Sequence, residues 1–268
     1  MKNAEIFKLS LPYLGTKDRT VRVYVPAREE GETFPVIYMT DGQNLFEEEG
    51  TPFGSWFTHT AVENEQKENR RAAIIVGIHN DFSPMQRTNE LTPKSIGAIT
   101  IPPEVDEETR NSFSPEGEIF DDFVVNTVMP AVERNFPVKK GRNNTAFCGS
   151  SSGGLQSFYT VLSHPDLFCA AGAFSPAFIF YTPENMQNWI LSVLKSDTPY
   201  LYLYSGGADE LEQQIYQSTE QVYDILTEIY PPEKFYEVIL FENKHCEAAW
   251  REIFKDFLHT FLTRRDEF

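Results

Sequence analysis

Thr145-Ala146-Phe147-Cys148-Gly149-Ser150-Ser151-Ser152-Gly153-Gly154-Leu155 is the stretch that decides how this chain folds. Thr145 to Cys148 reads as a short buried strand, and Leu155 to Leu162 reads as a helix. Between them lies the pattern G-x-S-x-G, Gly149 to Gly153. A strand that becomes a helix within five residues needs a tight turn. Glycine at both ends permits that turn and lets the helix lie close on the strand. The central serine then stands proud of a sheet, at a helix start whose backbone N–H groups favour an anion. A chain of this length meets the pattern by chance roughly one time in ten, so the flanking elements carry the reading.

Working outward, Ala4 to Leu9 and Thr20 to Val25 are strand-like, and Gly15-Thr16-Lys17-Asp18 suits a hairpin between them. Phe34 to Met39 and Ala72 to Ile78 are buried strands, with a helix-compatible stretch, Trp56 to Arg70, between them. Asp81 to Gly117 reads as irregular, with several prolines and the acidic run Glu104-Val105-Asp106-Glu107-Glu108. A loop that long serves as a lid or as one wall of a pocket. Ile119 to Asn135 is helical in period, with a kink expected at Pro130. Beyond the serine turn come strands at Phe168 to Phe174, Tyr200 to Tyr204 and Phe235 to Phe241. Helices are expected at Asp209 to Ile229 and Glu247 to Leu262. Apolar strands alternating with helices predict a mostly parallel central sheet covered by helices on both faces, with the N-terminal hairpin adding antiparallel strands at one edge. No repeat or composition break divides the chain, so residues 1–268 are read as one domain.

The net charge of −17 argues against nucleic acid, which demands a basic surface, and against an anionic membrane. Three cysteines, Cys148, Cys169 and Cys246, have no disulfide or metal-ligand spacing, so no metal site is expected. The N-terminus is polar and no run is long enough for a bilayer, so the expected location is the cytoplasm. Oligomeric state is not readable from the sequence.

A serine hydroxyl is a weak nucleophile until a base takes its proton, and that base needs a third group to orient it. In α/β-hydrolases these groups follow in the order serine, acid, histidine. Here Tyr200 to Tyr204 leads into Ser205-Gly206-Gly207-Ala208-Asp209, and the next strand leads into Glu242-Asn243-Lys244-His245. Both ends fall on the carboxyl edge of the sheet, where ligands bind in open α/β folds. Ser151, Asp209 and His245 are the candidate catalytic set, with Glu210 the alternative acid. His79 is the rival base, but its strand precedes the serine. His59, His164 and His259 lie within or at the ends of helical segments. Ser150 and Ser152 are one register away from the turn's centre. The oxyanion formed on acyl transfer needs two donors. The backbone N–H of Ser152 is one, and that of Gln43, in the loop Asp41-Gly42-Gln43-Asn44, is the other.

Tyr38 to Phe46 resembles the oxyanion strand of the putative esterase family of α/β hydrolases, which includes esterase D-like and enterochelin esterase-like enzymes. Similar in kind are Phe53-Gly54-Ser55-Trp56, then Val76 to Asn80 with Arg87 and Glu90-Leu91-Thr92-Pro93. Phe136-Pro137-Val138 with Cys148 to Gly154, and His245 to Trp250, complete the resemblance, which runs from about Phe34 to Trp250. The resemblance implies Ser151, Asp209 and His245 as the triad, and hydrolysis of small-molecule carboxylic esters without metal or cofactor. Members often carry Met at the position of Ser152 and Asn at that of Cys246. Neither change removes a triad side chain, so altered pocket shape is expected. Trp56, Arg87 and Phe178 are candidates for substrate contact, with core packing or a structural ion pair as the alternatives. An acyltransferase on the same triad, a catecholate siderophore hydrolase and a non-catalytic binding protein of the same fold are the rival functions.

Overall fold

The computed structural model describes residues 2–14, 17–48, 51, 54–101 and 106–268. Gly15 and Thr16 of the expected hairpin turn, Phe53, and Glu104 and Val105 of the acidic run lie outside them.

The strands are β1 (Glu5–Tyr13), β2 (Lys17–Val25), β3 (Val36–Met39), β4 (Ile74–Ile78), β5 (Thr145–Ser150), β6 (Ala170–Phe174), β7 (Tyr200–Ser205) and β8 (Phe235–Ile239). The α-helices are α1 (Thr58–Asn69), α2 (Pro84–Glu90), α3 (Glu107–Ser112), α4 (Gly117–Phe123), α5 (Met129–Asn135), α6 (Ser152–Ser163), α7 (Pro183–Val193), α8 (Glu210–Ile229) and α9 (Glu247–Arg264). The strands form one sheet in the order β1-β2-β4-β3-β5-β6-β7-β8. β1 and β2 are antiparallel to each other, and β2 is antiparallel to β4. From β4 to β8 every neighbouring pair is parallel. This is the α/β-hydrolase type of sheet with an added N-terminal hairpin.

Burial follows from the topology. Strands β3 to β7 are buried at every residue, because parallel strands with crossover helices are covered on both faces. β1, at the edge, alternates between partly buried and exposed residues instead. Helix α9 packs on β6 and on α1, while α6 packs on β5 and β6 and continues through α7 to α8.

Three stretches differ from the sequence expectation. Residues 81–117 are not irregular throughout: α2 and α3, seven and six residues long, lie within them. Helices so short contain too few turns to leave a periodic signal. The expected kink at Pro130 is distributed over a π-helical stretch, Val124–Val128, that joins α4 to α5. Widening the helix just before the proline accommodates a ring that neither donates a hydrogen bond nor fits a regular turn. Helix α7 was not anticipated, although Thr182 caps it through the Asn185 N–H and Pro183 opens it. Among the described residues no helix is long and apolar enough to cross a membrane.

Candidate active site

Strand β5 ends at Ser150 and α6 begins at Ser152, so Ser151 alone makes the turn. Its backbone lies at φ 58°, ψ −126°. For a non-glycine residue this is a strained conformation, of the order of 1–3 kcal/mol, held only where surrounding structure dictates it. Here the Ser151 N–H donates to Phe174 O at 2.9 Å, and its carbonyl accepts from Ala177 at 3.0 Å and Leu155 at 3.1 Å. Glycine is required on both sides. A β-carbon at Gly149 would strike the carbonyl of Gly153, and one at Gly153 would strike Thr40 Oγ1. Ser150 and Ser152 are buried, whereas Ser151 is partly exposed and lines a cavity of about 280 Å³. Ser152 is the first helical residue of α6, so its N–H has no acceptor within the helix.

His245 lines the same cavity. Its Nδ1 lies 2.5 Å from Glu212 Oε2. Asp209, the expected acid, does not reach the ring. Its Oδ1 accepts the Glu212 N–H and its Oδ2 the His245 backbone N–H, each at 2.9 Å. Those two bonds hold the Asp209 carboxyl below its usual range, the His245 amide first. Asp209 is the N-cap of α8, and Glu212 is the third helical residue, one turn on. Glu210, the alternative acid, is exposed.

The proton positions around Glu212 follow from donor chemistry. Trp250 Nε1 only donates, and it donates to Ser175 Oγ at 2.9 Å. The Ser175 hydroxyl proton is therefore directed to Glu212 Oε1. Gly206 N–H donates to the same oxygen at 2.7 Å. With every other neighbour donating, the fully buried carboxylate accepts from His245 as well. Nδ1 then carries the ring proton and Nε2 keeps its lone pair, the tautomer a general base needs. The Trp250 ring also stands edge-on to the imidazole, centroids 4.9 Å apart.

The opposite wall is the Asp41 loop. Gly42–Asn44 form a single 3₁₀ turn after β3. Gly42 lies so close to Gly77 that a β-carbon there would enter the β4 backbone. Gln43 lines the cavity, and its Oε1 accepts the Asn80 N–H at 3.3 Å. Asn80 Oδ1 in turn accepts the Asp41 N–H at 2.9 Å. Arg87 lines the cavity too, but its guanidinium grips Asp41, Nε to Oδ1 at 2.5 Å and Nη2 to Oδ2 at 2.7 Å. It also reaches Ser150 O at 3.3 Å. Glu90 closes the network, accepting from Asn80 Nδ2 at 3.3 Å and Asp81 N at 3.1 Å and pairing with Arg19.

Two expected substrate contacts lie elsewhere. Trp56 is core, packed on Phe174 and Trp250 at centroid distances of 5.3 and 5.9 Å. Phe178 is core against Phe158 at 5.0 Å. Neither lines the cavity. The rival His79 is also outside it, in a depression by the hairpin, its pKa lowered to about 4 by burial and then by Arg22. His164 pairs with Asp121 at 2.7 Å and His259 with Glu65 at 3.1 Å. Residues 81–117 contribute Asp81, Phe82, Pro84, Arg87 and Thr88, so the segment supplies a wall. The sequence reading did not single out Glu212, Ser175, Asn80, Asn44, Glu247 or Trp250. The spacing Asp209-x-x-Glu212 is that of a capping box, which was the available pointer to Glu212. Among the described residues no cluster of three or more His, Cys, Asp or Glu side chains is placed to hold a metal ion.

Residues 14–201 match the sequence profile of a family described as "Putative esterase". The chain belongs to this family. An uncharacterized protein, YbbA, of Bacillus subtilis strain 168 is 25% identical over 219 residues, 79% of each chain. Among solved structures, the BES protein from Bacillus cereus superposes with a TM-score of 0.72 at 20% identity, covering 97% of this chain and 95% of that one. The siderophore hydrolase EstB from Aspergillus nidulans superposes at 0.69 with 18% identity, covering 98% and 96%. These structural likenesses establish the shared fold, and family membership supports ester hydrolysis.

Proposed function

We propose that this family member is a serine carboxylic ester hydrolase with Ser151 as nucleophile, His245 as general base and Glu212, in place of Asp209, as the acid that orients the base. The observation that carries this reading is the 2.5 Å contact of His245 Nδ1 with Glu212 Oε2, at a cavity that Ser151 also lines. Ser151 Oγ attacks the acyl carbon as His245 Nε2 takes its proton. The N–H groups of Gln43 and Ser152 receive the oxyanion. Collapse of the tetrahedral intermediate breaks the ester C–O bond, and His245 hands its proton to the leaving alcohol. Water then attacks the acyl-enzyme, giving its proton to His245, and the acid departs as Ser151 regains its hydrogen. Glu212 stabilises the imidazolium in both halves without becoming protonated. Asp209 fixes the backbone of His245 and the start of α8, and so acts on the base through position alone.

A fluorophosphonate probe tests this reading. Intact-protein mass should show one adduct on Ser151, absent from Ser151→Ala, together with loss of hydrolysis of short aryl esters. Full hydrolysis by Ser151→Ala, or a wild type that takes no adduct, overturns it.

A further inference from the structure

The cavity above Ser151 is lined by five ionisable side chains: Asp41, Asp81, Arg87, His245 and Glu247. Three are carboxyls, and the one guanidinium is already matched by both oxygens of Asp41. An anionic substituent entering this space would meet no uncommitted cation among the lining residues. Glu247 opens α9, two residues past His245, and is only 6% exposed. Asn44, 7% exposed and on the opposite wall, donates through Nδ2 to Glu247 Oε1 at 3.3 Å. The Oδ1 of Asn44 is buried and has no hydrogen-bond partner. Two acceptor-bearing side chains, both more than nine-tenths buried, thus meet beside the base. Buried acceptors of this kind are costly until a donor reaches them, and a carboxylate most of all.

We infer that Glu247, with Asn44 beside it, selects esters by charge, favouring those that bring a cationic hydrogen-bond donor such as an ammonium close to the scissile bond and rejecting those that bring a carboxylate. The inference rests on the serine hydrolase reading of this cavity and extends it to a substrate class. Asp41 faces Glu247 from the β3 loop, Arg87 from α2 and His245 from the loop before α9. Burial first, and the Asp41 charge after it, raise the Glu247 carboxyl to about 7, with its own backbone N–H, Arg87 and His245 opposing. A second anion would add to that penalty, and a bound cation relieves it.

Three arylsulfonyl fluorides of matched shape make the test: para-aminoethyl, para-ethyl and para-carboxyethyl benzenesulfonyl fluoride. Each reacts as Ser151 Oγ displaces fluoride from sulfur, its proton passing through His245 to solvent. Second-order labelling rates are read by intact mass at pH 8, each corrected for the reagent's own hydrolysis. The ammonium reagent should label wild type at least about tenfold faster than the carboxylate one, the floor set by one unit-charge interaction across about 12 Å at an effective dielectric near 20. The neutral reagent should fall between them. Glu247→Gln should shrink the ratio to about threefold or less. In wild type alone the ratio should rise between pH 6 and pH 8, as Glu247 loses its proton, so the test holds even where the variant does not fold. A wild-type ratio of one or below, or a ratio unmoved by both Glu247→Gln and pH, overturns the charge selection while leaving Ser151 the nucleophile. Absence of adduct with all three reagents removes the nucleophile, and the proposal with it.

Discussion

The cavity has two charged walls built on opposite logic. On the β7–α8 side, Ser175, Gly206 and Trp250 all act on one carboxylate, Glu212, which ends on the imidazole. On the β3–β4 side, Asp41, Asn80, Arg87 and Glu90 bind one another and hold the Gln43 turn, while Arg87 keeps its charge on Asp41. The first wall directs a buried charge at the His245 ring; the second uses paired charges to fix a backbone. In the proposed mechanism the carboxylate aimed outward at a ring contributes to the reaction, and the one closed on an arginine contributes to shape.

That contrast predicts where substitutions are felt. Glu212→Gln should lower kcat/KM by about 10³- to 10⁴-fold, because an amide cannot hold the same tautomer or stabilise the imidazolium; steady-state kinetics on an aryl ester measures it. A loss under tenfold would place the orienting acid elsewhere. Arg87→Met should act mainly on stability, by about 3–5 kcal/mol, since it strands Asp41 as a buried unpaired charge. Denaturant unfolding reads this, and an unchanged midpoint would show that the second wall is not a scaffold. Asp209→Ala should cost about 1 kcal/mol through the lost helix cap and reduce kcat/KM by at most about tenfold, since the ring keeps its partner. The Glu212 and Asp209 variants compared side by side separate the two carboxylates directly.

The effect that varies with pH belongs to Glu247. Its carboxyl binds a proton more tightly folded than unfolded, with a folded value of about 7 against an ordinary 4.5. Its contribution to stability is therefore full below about pH 4.5 and is lost as pH rises through about 7. The melting temperature of Glu247→Gln relative to wild type should climb across that window and level off above it. A difference that stays flat with pH would mean that Glu247 is as well solvated in the fold as outside it.

Much of the site could be read from the chain because its parts sit at strand ends. The turn at Ser151 and the location of Ser151, His245 and Gln43 beside one cavity follow from patterns only a few residues long. The carboxylate on the His245 ring, proposed above as the acid, escaped because the rule that selects Asp209, first carboxylate after the strand, ignores competition for that carboxylate. Asp209 has two backbone amides within reach, and a short side chain at an N-cap is held by them. The longer glutamate one turn later is free to reach inward, a difference of side-chain length and helical phase that a linear pattern does not record. Arg87 was legible as a pocket residue, but its engagement with Asp41, 46 positions away, depends on how α2 docks. Trp56 and Phe178 are substrate-contact candidates in the sequence, but tertiary packing, which the sequence does not record, puts both in the core.

The indole of Trp250 gives this molecule a built-in optical gauge. It donates to Ser175 and stands edge-on to His245, and an imidazolium is a stronger quencher of indole emission than neutral imidazole. Protonation of His245, the base in the proposed mechanism, therefore dims a chromophore already in place, and stopped-flow fluorescence of the unlabelled protein is the way to look for it.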